Sequence, residues 1–293
     1  MDSKLGGKIG EGGCSEVFAW EDGGSKLVKV AKAKTDHEAM RREFDNNRIA
    51  WEHGLPVARP YELVEIDGRP GIVCERIYGE SIMERFVKQV LKHTQTAGTT
   101  GISDGENIRV TARALYEIHQ AAIQLPSSQR STMKYSIQSV DYLTLAEKEA
   151  VIAILDALPL KQQLCHGDPN PNNILIRNDG KAVVIDWMNA SIGNPEADLA
   201  EYMIMIRYAV LPSELPSSIS EFLDPMREAI IDVFMDEYSK LSGITYEEVY
   251  PWLVPVAARK LSADAISEEE KSLLVQEIRR SLKETQGGGK SPC

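Results

Sequence analysis

Positive charge is the first thing this chain is short of. Its 33 lysines and arginines face 44 aspartates and glutamates, for a net charge of −11 and a pI near 5.1. Nucleic-acid binding rests on basic patches that meet phosphates, so no nucleic-acid partner is expected. Long apolar runs are also missing. No uncharged stretch reaches the roughly 18 residues that a membrane helix needs, and residues 1–7 hold no apolar signal core. Cysteine is sparse. Cys14, Cys74, Cys165 and Cys293 lie far apart, without a Cys-x-x-Cys pair or metal-site spacing. A disulfide framework is therefore excluded, and the expectation is reduced thiols in a cytoplasmic protein without a membrane partner. Cys74 and Cys165 sit in apolar runs and read as small buried hydrophobes. There are no internal repeats. What remains is ordinary globular composition, 43% hydrophobic and 26% charged over 293 residues, enough for one large or two modest domains.

The most informative stretch runs from Cys165 to Ile176, CHGDPNPNNILI, followed by Val183-Val184-Ile185-Asp186-Trp187. The apolar runs read as two short strands joined by the turn Asn178-Asp179-Gly180. That hairpin holds Asp168, Asn173 and Asp186 at fixed spacing. His166-x-Asp168-x4-Asn173, then a hydrophobic strand ending in Asp186, has the spacing of a kinase catalytic loop and its metal-binding segment. Phosphoryl transfer requires a phosphate held in line with a hydroxyl and its charge neutralised by a divalent cation. Mg²⁺ takes oxygen ligands, which Asn173 and Asp186 can supply. Asp168 is left to accept or orient the hydroxyl's proton. Pro169 and Pro171 stiffen the loop. A plain polar turn is the alternative for any one of these pieces; their joint, ordered spacing favours the chemical reading.

The first residues support it. Ile9 to Trp20 reads as strand–turn–strand, with Gly10 and Gly12 allowing backbone to approach a phosphate closely. Gly10, Gly12 and Val17 fit the kinase glycine-rich loop, while Ser15 stands where a third glycine is usual. Lys29 lies in the apolar middle of the strand Leu27–Ala31, a place that demands a partner. A helix over 36–51 follows, with Thr35 as N-cap, Glu38 at the capping-box position and an apolar stripe of Met40, Phe44 and Trp51 beside Asn47. Glu43, beside that stripe, is the candidate partner of Lys29. Strands are expected over 61–66 and 71–77 around the turn Asp67–Pro70. Further helices are expected over 81–95, 107–124, 145–158, 196–210, 221–241, 246–262 and 267–283. A mobile loop is expected over 93–107, a Pro/Ser-rich loop over 212–220 and a disordered tail over 286–293. His119 reads as a packed structural histidine, and Gly289-Lys290-Ser291 lacks the strand and helix of a phosphate-binding loop.

With Gly193-Asn194-Pro195-x2-Asp198-Leu199-Ala200 added, the chain resembles the aminoglycoside phosphotransferase family, whose wider relatives include choline, fructosamine, homoserine and methylthioribose kinases. The resemblance is strong from about Leu5 to Met203 and weak beyond. It implies a two-lobed, protein-kinase-like α+β fold. A small β-rich nucleotide-binding lobe would span residues 1–77 and a mostly helical lobe, with catalytic loop and acceptor site, residues 78–285. It implies ATP, or GTP, with Mg²⁺ as cofactors. Backbone near Glu75 and Ile77 would bond the purine, and Val17, Val28, Leu175 and Ile185 would sandwich it. Ser15 would offer a hydroxyl to a phosphate, and His166 and Asp198 would support the catalytic loop. The implied partner is a small-molecule hydroxyl substrate. The chain's acidity favours an aminoglycoside-like polycation, with a metabolic amino-alcohol or sugar kinase close behind. A non-catalytic nucleotide binder is disfavoured because Lys29, Asp168, Asn173 and Asp186 are all present. A protein kinase is disfavoured because Asp-Phe-Gly and Ala-Pro-Glu are absent.

Overall fold

Alternation at period two builds the first part of the chain. The computed structural model describes residues 4–21, 24–96, 105–211, 216–264 and 266–286. Strands β1 (Leu5–Glu11), β2 (Ser15–Trp20), β3 (Lys26–Ala31), β4 (Pro60–Ile66) and β5 (Arg69–Glu75) form one antiparallel sheet in the order β1-β2-β3-β5-β4. Asp67 and Gly68 both take positive φ, 50° and 74°, the mirror-image turn that matches strand twist in a two-residue hairpin. On β3, Val28 and Val30 are fully buried with Trp20 and Val73 on one face. Lys29 and Ala31 take the other face, where Ala31 packs with Met40 and Ile72.

Helix α1 (His37–Glu52) covers that second face. Its N-cap is Asp36, whose carboxylate accepts from Ala39 N at 2.8 Å, rather than Thr35, whose hydroxyl is taken by Cys14 O. Its buried positions are Met40, Glu43, Asn46 and Ala50. Trp51 falls one residue off that stripe and is 38% exposed, with the Arg59 guanidinium over its ring.

The rest is mostly helical. After β6 (Gly79–Ser81) come α2 (Ile82–Thr96), α3 (Glu106–Gln120), α4 (Gln129–Ser139) and α5 (Leu145–Ala157). Then follow β7 (Gln163–Cys165), β8 (Ile174–Arg177), β9 (Ala182–Val184), β10 (Ser191–Gly193) and α6 (Pro195–Tyr208). The chain ends with α7 (Ser217–Leu223), α8 (Arg227–Ser242), α9 (Tyr246–Val249), α10 (Leu253–Lys260) and α11 (Glu268–Gln286). Strands β6-β8-β9 form one small sheet and β7-β10 another. Tyr202 on α6 stacks on Phe234 of α8, centroids 3.9 Å apart, inside the main core.

Several expectations change. Helix α3 stops at Gln120, because Ala121 is extended and Pro126 disfavours helix ahead of it. Helix α4, which the sequence reading passed over, is capped by Ser128 and buries Met133 and Ile137. Pro225 and Pro251 each sit in a 3-10 turn, so the expected runs 221–241 and 246–262 are broken. Residues 217–220 are helical instead of loop. Helix α2 continues through Thr96, past the expected start of a mobile loop at 93. Residues 97–104 and the tail from 287 lie outside the described residues. Among the described residues no helix is long and apolar enough to cross a membrane. Burial pushes the Cys74 thiol up to about 12 and that of Cys165 well above its ordinary value, as inert packed thiols require.

Gly79 shows how tightly β6 sits on β8: a Cβ there would lie 2.1 Å from Ile176 O. Gly79→Ala is therefore expected to cost about 3 kcal/mol, the upper end for an overpacked site, read as a lower urea midpoint. An unchanged midpoint would mean that the two strands part freely.

Candidate active site

The hairpin β8–β9 carries the site. Its turn closes on Gly180 at φ 87°, and Ile174 faces Val184 across it. Just before β8, Pro171–Asn173 form a 3-10 turn capped by the Asn170 side chain, which accepts from Asn172 N at 2.9 Å. Just after β9, Ile185 N donates to Asn173 O at 2.9 Å. The strand that leads to Asp186 is thereby laid beside the turn that ends in Asn173. Asn173 Nδ2 donates to Asp168 O at 3.2 Å and to Asp168 Oδ2 at 3.0 Å. The amide nitrogen of Asn173 is thereby committed to Asp168. Asp186 has left-handed backbone, φ 67° and ψ 66°. That is a strained conformation for a residue with a Cβ, of the kind found where a side chain is aimed for function.

Three buried groups hold these two segments in place. The His166 ring bridges them: Nδ1 faces Asp168 O at 2.9 Å and Nε2 faces Ile185 O at 3.1 Å. Asp198, in the first turn of α6, accepts from His166 N at 2.7 Å and from Gly167 N at 3.0 Å. Its other neighbour is His119 Nε2 at 3.1 Å, and His119 Nδ1 meets Tyr238 Oη at 2.6 Å. His119 is thus a packed brace. Cys165 joins it and Asp198 in a cluster of three donor atoms within 4.8 Å, but His119 and Asp198 are already spent on these hydrogen bonds. Gly167 has φ 78°, and a Cβ there would lie 2.5 Å from Asn189 O, so only glycine fits between His166 and Asp168.

The sheet faces this hairpin. Lys29 Nζ pairs with Glu43 and lies 3.7 Å from Asp186 Oδ1. Burial alone would push the Lys29 ammonium down, but Asp186 and Glu43 outweigh it and hold it above its ordinary value. Glu43 is only 4% exposed, and among the described residues its Oε2 has no hydrogen-bond partner. Val17 stands directly across from Lys29 in the β2–β3 register and shares its face. Val28 does not: it is fully buried on the opposite face, so the residue expected to cover a purine points away from the cleft. Leu27, two residues before Lys29, takes that side. Gly12 N donates to Ser15 O at 2.8 Å across the glycine-rich turn, Gly10 pairs with Val17 and Ser15 is buried. Leu175 and Ile185 are half-buried, unlike Ile174 and Ile176 beside them. Glu75 ends β5, its N–H is taken by Arg59 O at 2.8 Å and its carboxylate by Arg177 at 2.8 Å. Ile77 lies two residues beyond that strand end, half-buried.

The sequence reading missed three contributors. Asn46 Nδ2 donates to Trp187 O at 3.0 Å and Ala190 O at 3.4 Å, tying α1 to the segment after Asp186. The signal was its position three residues after Glu43 on the same helix face. Arg259 and Lys260 both bond Glu201, Lys260 at 3.1 Å, and outweigh the burial that would otherwise raise that carboxyl. Burial, then Glu201 and Asp186, raises the pKa of Asp168, with His166 and Lys260 working against the rise.

Such an arrangement can position a hydroxyl against a base beside an all-oxygen cation site, with an ammonium opposite. Asp186 and the Asn173 oxygen are the hard donors that Mg²⁺ prefers, and the strained, half-exposed Asp186 is free of any role in the core. Fold and site together define a kinase-like phosphotransferase. The chain matches the model of the phosphotransferase enzyme family (APH) over residues 8–224 and belongs to that family. No curated protein matches it in sequence. Solved structures share its fold. Choline kinase LicA from Streptococcus pneumoniae is 15% identical at a TM-score of 0.61, covering 96% of this chain and 94% of that one. A thermostable mutant of aminoglycoside phosphotransferase APH(4)-Ia, in ternary complex with ADP and hygromycin B, is 15% identical at 0.64, covering 98% and 95%. An aminoglycoside-3'-phosphotransferase of type VIII is 18% identical at 0.56, covering 88% and 94%.

A raised carboxyl pKa means that the folded state holds the proton longer than the unfolded one. Stability from that group is present below its ordinary 3.8 and is lost as pH rises through the higher folded value. At neutral pH the Asp168 charge is therefore a burden on the fold. Asp168→Asn is expected to lower turnover about a thousandfold, within the range for a lost general base, with a melting temperature at or above the parent's. Near-normal ADP release would remove Asp168 from the chemistry, and a lower melting temperature would contradict the charge burden.

Proposed function

We propose that this protein transfers the γ-phosphoryl group of ATP to a hydroxyl of a small molecule. The observation that carries the reading is the hydrogen-bonded Asp168–Asn173 pair, set beside Asp186 and facing the Lys29–Glu43 ion pair. Residues 1–77 serve as the nucleotide lobe, and residues 78–285 carry the catalytic loop and acceptor site. Gly10, Gly12 and Ser15 cover the phosphates, Lys29 holds them, and Glu43 keeps Lys29 in position. Backbone at Glu75 and Ile77 meets the purine, with Val17, Leu175 and Ile185 around it. Asn173 and Asp186 would hold Mg²⁺, whose chemistry is to neutralise phosphate charge. Asp168 orients the hydroxyl and accepts its proton, a task that its raised pKa suits. The acceptor oxygen forms its bond to the γ-phosphorus as the bond to the β–γ bridging oxygen breaks, and ADP leaves with that electron pair. His166 and Asp198 keep the loop in place. The nucleotides in two structural relatives, ADP with APH(4)-Ia and AMP with LicA, support the donor. The free, buried thiols of Cys74 and Cys165 and an ATP-dependent reaction agree with a cytoplasmic setting.

A polycationic, aminoglycoside-like acceptor is the second reading, favoured by the net charge of −11 and by hygromycin B in the APH(4)-Ia complex.

The test is a mass-spectrometric screen with MgATP against aminoglycosides, choline, homoserine, methylthioribose, ketosamines and plain alcohols. Phosphorylation appears as a gain of about 80 Da, one phosphoryl group. Asp186→Ala is expected to raise the Mg²⁺ needed for half-maximal nucleotide binding at least about tenfold, as for lost metal ligands and their supports. An unchanged Mg²⁺ titration would remove Asp186 from the metal site.

A further inference from the structure

We infer that the acceptor is an amphipathic alcohol, with an apolar body and one oxygen-bearing polar group held by Lys260, and that it is not a polycation; this rests on the phosphotransfer reading above. A cavity of about 840 Å³ opens beside the catalytic loop, with Asn170, Pro171 and Asn172 in its lining. That volume is typical of small-molecule sites, roughly 300–1,000 Å³. Its walls are apolar, built from Phe86 and Val87 of α2, Met205 and Ile206 of α6 and Ile230 of α8.

Among the described residues, the charges that reach this cavity are mostly committed. Glu84 accepts from Ser81 N at 2.7 Å as the cap of its own helix. Glu106 pairs with Arg113 at 2.8 Å, and Lys88 pairs with Glu80 at 2.5 Å. Two buried groups remain, Lys260 at 8% exposure and Glu270 at 6%. Glu270 accepts from Val210 N at 3.4 Å, and burial raises its pKa while Lys260 works to lower it. It is thus one acid beside a cation already in place. An aminoglycoside brings several ammonium groups, and each left in an apolar trough without a counter-charge carries a heavy desolvation cost. Among the described residues, only a small part of the chain's surplus negative charge lines this cavity.

Lys260 provides the polar anchor. An ammonium has three donors, and among the described residues one of them goes to Glu201 Oε1 at 3.1 Å. Lys260 lines the cavity and its charge is felt by Asp168. A carbonyl or carboxylate oxygen bound there sits within the electrostatic reach of Asp168, with the apolar body against α2, α6 and α8.

The experiment measures ADP release by the full chain with MgATP, first with water as the acceptor. It is then repeated with aromatic and alicyclic alcohols that carry a ketone or carboxylate, and with hygromycin B. The expected result is stimulation by the alcohols and little by hygromycin B. Ile206→Asp should lower the ratio of kcat/KM for the best alcohol to that for hygromycin B at least about tenfold, the change of about 1.4 kcal/mol expected for a charge placed in an apolar wall. Ile206→Val should leave that ratio in place. Lys260→Met should raise KM for oxygen-bearing alcohols more than for their deoxy analogues, a difference that a merely structural lysine would not produce. Greater stimulation by hygromycin B, or none by any alcohol while MgATP is bound and slowly hydrolysed, overturns the inference and leaves the phosphotransfer reading standing. A dimer that Ile206→Asp dissolves, with no response to alcohols, assigns the cavity to a second copy of the chain and also overturns it. Absence of MgATP binding removes the phosphotransfer reading itself, and the inference with it.

Discussion

A buried carboxylate without hydrogen bonds is among the most costly things a fold can contain. Asp198 is 1% exposed, and its two oxygens are satisfied by the N–H groups of His166 and Gly167 together with His119. Those two N–H groups belong to the loop that ends in Asp168. The need to satisfy one aspartate in α6 therefore fixes the backbone that presents Asp168, the proposed base. It also explains why the residue between His166 and Asp168 is a glycine at positive φ: the backbone must turn its N–H toward Asp198 and pass under Asn189 in the same step. The first turn of a helix favours that carboxylate as well. The brace continues outward through His119 to Tyr238 on α8, so the catalytic loop is anchored to the helical core.

The loop's other anchor comes from the sheet side. Asn46 on α1 donates to carbonyls just after Asp186, while Glu43, one turn earlier, meets Lys29. One helix thus positions both the ammonium and the segment that carries the metal-ligand candidate. Charge is concentrated around these two segments. Asp168, Asp186 and Glu201 repel one another, as the raised pKa of Asp168 records. Lys29 is held above its ordinary value by Asp186 and Glu43. Among the described residues Glu43 keeps a buried oxygen without a partner, and Asp186 sits in strained backbone. Local costs of this sort gather where a structure is built for a reaction more than for its own stability.

Much of this was legible in the sequence because it is local. A hairpin with a polar turn, a lysine in an apolar strand and an aspartate one turn into a helix each declare themselves within a few residues. Their spacing then links them. What was misread follows from tertiary geometry or from a rule left unapplied. Val28 was assigned to the cleft although period two puts it on the face opposite Lys29. Trp51 was put on the buried stripe of α1 although Ala50 continues the spacing from Met40 and Asn46. Helix α4 has few apolar residues and is held by its cap and by burial of Met133 and Ile137. Asn46 is marked only by its spacing from Glu43, and Lys260 by nothing local, since each matters through a partner far away in the chain.

The same contrast explains why the reaction can be read from this chain more readily than its acceptor. Moving a phosphoryl group requires a base, oxygen ligands and a cation at set distances, and one hairpin with its flanks can supply nearly all of them. Recognition of the acceptor has no such unit. The cavity beside the loop takes residues from α2, α3, α6, α7, α8, α10 and α11, so no contiguous motif encodes it. Substitutions along those helices can alter the chemistry of the wall without touching Asp168, Asn173 or Asp186. A chain with this fold can therefore keep its reaction while its acceptor changes, and overall charge is a poor guide to that acceptor. The field of the whole surface governs how ligands approach, but the groups inside the cavity decide which ligand stays, and here those groups are mainly hydrocarbon.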